Sequence, residues 1–368
     1  MNILVVGNGF DLAHGLPTSY INFLDFLNIL HCQIRFPNDR IGCEQLMEKS
    51  KLPEELLQVL KGTGGVQENV YRDESLKQMA GNTWIEYLLK VQSKIPDYGW
   101  VGFEGEIAHI VKTLDDMRVN ASNLTALQQL REMSDILNDS LKLDLRSRFS
   151  SKKDIPKIID RLLQDLDRLI RCLEIYLCIC ESIPANGKRL RAVLDIGEIH
   201  GVLSFNYTNT FERLYAKPLG MNPQYCYIHG RAKEADDISI CNMVLGIDEY
   251  LGENDRSNNV EFVGFKKYYQ RIFKQTDYNY TEWFDDSKPI NLYIIGHSLD
   301  TTDKDVLSDI LLHKGVKTTI FCHDMQANGA QIANLVKVLG YDNFNMLTRG
   351  RDRGRSITFS QLLPVERV

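Results

Sequence analysis

Hydrophobic positions along this chain change their rhythm twice. Asn2 to Val6 is a short, β-branched apolar run ending at Gly7, the pattern of a buried parallel strand that feeds a glycine loop. Beyond Pro17 and Thr18, apolar residues recur at Tyr20, Phe23, Leu24, Phe26, Leu27 and Leu30, which predicts a helix over 19–30 with Thr18 as its N-cap. From Cys32 to Gly197 strand signals almost vanish. Amphipathic patterns there predict helices over 83–95, 103–117, 124–145 and 155–182, and Lys61 to Glu74 reads as a loop. The strand rhythm returns at 201–205, 224–228, 242–245, 291–295 and 317–321, with helices over 258–275, 302–313 and 326–338.

Buried strands alternating with helices imply a parallel sheet covered on both faces. The expected fold is therefore α/β: a Rossmann-like parallel sheet flanked by helices, formed by residues 1–31 and 198–348 and split by a large all-helical insertion over 32–197. A basic segment, 349–368, follows. The 368 residues suit this plan, being two or three domains' worth of chain at roughly 100–200 residues each.

Composition narrows the function classes. Apolar residues make up 43% and charged ones 25%, so a large core is affordable and disorder or fibre is excluded. A net charge of −6 argues against a general nucleic-acid coat. The one dense basic run, Arg349, Arg351, Arg353 and Arg355, is interleaved with Asp352 and reads better as a solvated segment than as a nucleic-acid site. The opening residues lack a signal peptide's basic start, and the richest apolar stretch, Cys172 to Cys180, is short and broken by Glu174. A cytoplasmic protein with no membrane partner is expected. The eight cysteines include Cys178-x-Cys180 but no paired C-x-x-C motifs, so buried reduced thiols are expected and no metal is implied.

Candidate chemistry gathers where strands are predicted to end. Gly7-Asn8-Gly9-Phe10-Asp11, with Gly15-Leu16-Pro17, occupies the position of a nucleotide-binding loop, but its G-x-G-x5-G spacing is neither the dehydrogenase fingerprint nor a P-loop. A tight βα turn without ligand is the plain alternative. Ser204-Phe205-Asn206-Tyr207-Thr208 closes the next strand; Asn206 suits ribose hydroxyls, or equally an Asx turn capping the helix that follows. His229, before Gly230, is a general-base candidate. Gly296-His297-Ser298-Leu299-Asp300, followed by Asp303, admits two readings. A hydrolase nucleophile elbow needs glycine where Asp300 stands, so a second nucleotide-contacting loop is preferred, with Gly296 and Ser298 toward the ligand. Open α/β sheets bind ligands at the carboxyl ends of their strands, so these loops should share one crevice.

The four motifs, in this order, resemble those of the AbiH-type abortive-infection proteins. They also fall in register with sirtuin-like NAD-consuming domains: Gly7, Asn8, Gly9, Phe10 and Asp11 with Gly15-Leu16-Pro17 for the opening, Asn206 and Thr208 for the Asn motif, His229-Gly230, and Gly296, His297 and Ser298 for the late loop. Asp11, Thr208 and Ser19-Tyr20 depart from that pattern, and its zinc module is absent, which argues against protein deacylation. The resemblance implies an anti-phage protein that hydrolyses NAD or a related nucleotide. Asn206 and Asp11 would hold ribose and water, His229 would accept a proton, and the helical block would serve as lid, homo-oligomer surface or sensor of a phage or host trigger. A nucleotide sensor that cleaves nothing, and a toxin that acts on nucleic acid through the arginine run, are the alternatives.

Overall fold

Alternation sets the core strand. In β1 (Asn2–Val6), Ile3 and Val5 pack into one buried cluster and Leu4 and Val6 into another, so both faces of the strand are covered. The computed structural model describes residues 1–92, 100–119, 131–141, 151–184, 189–233, 238–248, 260–284, 288–349 and 356–362. Within them β1 joins β2 (Gly201–Ser204), β3 (Gln224–Tyr227), β4 (Ile290–Ile295), β5 (Val316–Cys322) and β6 (Ser356–Gln361) in one sheet. All five pairings are parallel and the order is β3-β2-β1-β4-β5-β6. The α/β expectation is met in these terms: a six-stranded parallel sheet with helices about it.

Two compact units divide the chain. Residues 1–18, 181–231 and 275–368 make the first, which holds the sheet. One face packs Leu203, Leu292 and Ile294 against Leu307 and Ile310 of the helix Lys304–Leu312 and Leu335 of Met325–Leu339. The other packs Val202 and Ile295 against Val193, Phe211 and Tyr215.

Residues 19–180 and 232–274 make the second unit, whose described segments from 19 to 180 are helical with no strand. Its interior carries charge. Asp165 accepts from Arg161 Nε at 2.7 Å and Arg168 Nη1 at 3.0 Å, and Lys267 meets Glu104 at 2.9 Å.

Several local expectations need correction. Ser19, not Thr18, caps the helix Tyr20–Arg35, its Oγ accepting from Asn22 N. The segment read as a loop, 61–74, mostly belongs to a helix, Val66–Met79, after a turn at Gly62. Residues 242–245 are not a strand: Gln270 exchanges side-chain bonds with Leu245 N and O, supplying what a neighbouring strand would. The helix expected over 258–275 is shorter, Lys267–Phe273. β6 carries the sheet past residue 348. Arg351, Arg353 and Arg355, residues 124–130 and 142–145 of one expected helix, and 93–95 of another lie outside the described residues.

Candidate active site

Strand register brings the motifs level. Val6 stands opposite both Ser204 and Ile295, and Ser204 opposite Tyr227, so Gly7, Phe205, Ile228 and Gly296 leave the sheet side by side at its carboxyl edge. Chain order reverses between β1 and β4, and crevices form at such a reversal.

Two of the loops touch backbone to backbone. Gly7 N donates to Ile295 O at 3.2 Å, Gly9 N to Gly296 O at 2.8 Å, and Phe10 N to Gly7 O at 2.8 Å. Gly296 has φ +72, and a Cβ there would lie 2.0 Å from Phe10 N, so only glycine fits. A Cβ on Gly9 would approach the Gly296 backbone to 2.9 Å. These amides are therefore committed within the fold and do not form an open phosphate cradle. Gly15 ends the short helix Asn8–Ala13 in a left-handed conformation. Phe10 is buried in the core against His14 and Tyr215, while Asn8 is half-buried.

Asn206 donates from Nδ2 to Gly7 O at 2.9 Å, tying the β2 loop to the β1 loop. Asp11 is about 1% exposed; its Oδ2 accepts from Thr208 Oγ1 at 2.6 Å, and Thr208 Oγ1 in turn accepts from Thr210 Oγ1 at 3.2 Å. Its Oδ1 has no hydrogen-bond donor among the described residues. Burial raises the Asp11 carboxyl to about 6, against the pull of the threonine hydroxyls. His14 gives Nδ1–H to Phe10 O (2.6 Å) and receives the Tyr215 hydroxyl at Nε2 (2.7 Å); burial lowers its pKa.

A second group forms around one carboxylate. Asp303 Oδ1 lies 2.9 Å from His229 Nε2, and its Oδ2 lies 3.5 Å from His297 Nε2. Leu299 N donates to His297 Nδ1 at 2.9 Å, which leaves the His297 proton on Nε2, toward Asp303. A neutral His229 that directs Nε2–H at Asp303 carries its lone pair on Nδ1. Phe205 packs edge-on to both imidazoles, centroids 5.6 and 4.3 Å away. Leu299, fully buried, holds φ +58, a conformation leucine keeps only where packing imposes it. Ser298 is exposed, and the positive φ values flank it at Gly296 and Leu299. Asp300 caps the next turn through Thr302 N at 3.1 Å. Among the described residues nothing joins Ser298 to a histidine, as a nucleophile elbow would require.

Sequence reasoning missed two residues beside these groups. Glu181 closes the helix Ser151–Ser182, and its Oε1 accepts from Asn209 N at 2.5 Å. Asn209's amide, oriented to satisfy both neighbours, donates to Glu181 Oε1 (3.2 Å) and accepts from Arg231 Nη2 (2.6 Å). Burial raises the Glu181 carboxyl to about 7, with Arg231 and Arg213 opposing and Asp11 adding to the rise. Arg213 stands in a π-helical turn, Glu212–Ala216, a feature frequent at functional sites. Its Nη1 donates to Glu181 O and to Ile183 O (3.1 Å), whereas Nε and Nη2 are buried with no acceptor among the described residues. Neither residue sits in a recognisable motif; only Asn209 links Glu181 to the Ser204–Thr210 run.

The family model described as "Bacteriophage abortive infection AbiH" matches residues 3–323. Comparison with curated proteins and with solved structures finds no match.

Proposed function

Because this chain belongs to the AbiH family of bacteriophage abortive-infection proteins, whose role is defence against phage, we propose that its sheet-bearing unit hydrolyses NAD or a related nucleotide at the nicotinamide–ribose bond. One observation carries the reading. The loops after β1, β2, β3 and β4 bring Asp11, Asn206, His229 and His297 to one carboxyl edge, where the strand order reverses. The order 3-2-1-4-5-6 is also that of doubly wound dinucleotide-binding sheets.

The chemistry asks little of a nucleophile. As the bond breaks, its electron pair neutralises the pyridinium nitrogen, and an oxocarbenium-like ribose accepts water. Adding that water to C1′ releases one proton. His229 Nδ1 takes it, while Asp303 at Nε2 steadies the imidazolium that results. Asn206 and Asp11 would orient ribose and water, the Asp11 carboxyl being ready to exchange a proton near its raised pKa of about 6. Since the Gly7 and Gly9 amides are engaged with the β4 loop, phosphates would be met by side chains instead.

Chromatography of NAD incubated with purified protein tests this. Nicotinamide should be released, and His229→Ala should reduce release roughly 10²- to 10⁴-fold, with Asn206→Ala also impaired. Stoichiometric binding of intact NAD by calorimetry, without any release, would favour the sensor reading instead.

A further inference from the structure

Two cysteines of the helical unit face each other across a hairpin. Cys32 lies in the last turn of the helix Tyr20–Arg35, and Cys43 near the start of Arg40–Lys49. Both helix ends are fixed: Phe36 N bonds to Cys32 O at 2.8 Å, and Asp39 Oδ1 accepts from Gly42 N at 2.9 Å. The two sulfur atoms are 2.6 Å apart. At that separation a bond between them asks only for small side-chain adjustments. Other thiols are differently placed: Cys172, Cys226 and Cys322 direct their sulfur hydrogens to the carbonyls of Ser75, Asp277 and Ser360.

We propose that Cys32 and Cys43 form a dithiol that peroxide converts to an intramolecular disulfide, stapling the two helices of the hairpin. In the first step Cys32 sulfur attacks one peroxide oxygen. The O–O bond breaks, water leaves and a sulfenic acid forms. In the second, Cys43 sulfur attacks the Cys32 sulfur; the S–O bond breaks and hydroxide departs with the Cys43 proton as a second water. The pair loses two electrons and hydrogen peroxide gains them. Burial, with the neighbouring sulfur, pushes the Cys43 thiol up to about 12, which suits a resolving partner better than a first attacker. The helix Tyr20–Arg35 is the next in sequence after the short helix Asn8–Ala13 that the glycine loop enters, and the staple fixes its far end.

The test is full-length protein treated with hydrogen peroxide, alkylated, and mapped by mass spectrometry without reduction. Arg35 and Arg40 allow trypsin to separate the two cysteines. The expected product is one linked peptide pair lighter by two hydrogens, restored by dithiothreitol and absent from both Cys32→Ser and Cys43→Ala. Independent alkylation of both cysteines after oxidation would overturn the proposal, as would Cys32 proceeding to sulfinic acid or a link to another cysteine. The wild-type map decides this even if a variant fails to fold.

Discussion

Asp11 and Asp165 are both about 1% exposed, yet the chain treats them in opposite ways. In the helical unit, Asp165 is held by two guanidinium groups and by Thr83 N at 2.9 Å, and those arginines continue to the carbonyls of Gly81 and Ala80. In the sheet unit, Asp11 has a threonine hydroxyl on one oxygen and, among the described residues, no donor on the other. A buried carboxylate with full countercharge is a structural tie. One whose hydrogen-bond donor is a neutral hydroxyl, and whose burial outweighs the pull of Arg213, titrates near neutrality and can take part in chemistry.

The sharpest way to break this comparison is to neutralise both aspartates. Asp165→Asn strands two arginines and should lose about 3–5 kcal/mol in urea denaturation. Asp11→Asn should lose less than about 1 kcal/mol at pH 7, where burying its charge is already unfavourable. Equal losses would mean that Asp11 is as structural as Asp165.

Glu181 extends the contrast to pH. Its folded pKa, raised from 4.5 to about 7, means that the native state keeps a proton the unfolded chain has released. Its contribution to stability is complete below about pH 4.5 and is lost as pH rises through about 7. Relative to Glu181→Gln, the wild type should therefore lose up to about 3 kcal/mol across that window. A wild-type-to-variant difference that stays constant from pH 5 to pH 8 would sink the assignment.

The smallest effect tests the hydroxyl itself. Thr208→Val removes the 2.6 Å donor to Asp11, should cost about 1 kcal/mol, and should move the Asp11 titration above 6 in NMR.

Much of the sheet was legible because strands buried on both faces are short, continuous and apolar; Asn2–Val6 and Asn291–Ile295 are of that kind. β6 escaped because Ser-Ile-Thr-Phe-Ser-Gln alternates polar and apolar residues at a sheet edge, behind a run of arginines. Met243 to Leu245 misled for the opposite reason: an apolar run satisfied by one glutamine side chain looks the same as one satisfied by a strand. In the candidate site, His229 and His297 could be read from strand ends, but their shared hold on Asp303 could not. Glu181 was invisible, since it sits 28 residues from Asn209 in a stretch that reads simply as helix.

The register of β1 has a consequence for synthesis. This strand is made before the others of its sheet, yet its two neighbours begin at residues 201 and 290. Its amides and carbonyls wait through nearly 200 residues of translation for one partner and nearly 290 for the other. Contacts so distant in sequence slow folding and leave apolar edges open to wrong pairing. They also separate the loops of the carboxyl edge in time: Gly296, against which the first loop packs, is made nearly 290 residues after that loop. On the function proposed above, a chain that has not yet made β4 lacks half of the loop contact on which the candidate site is built.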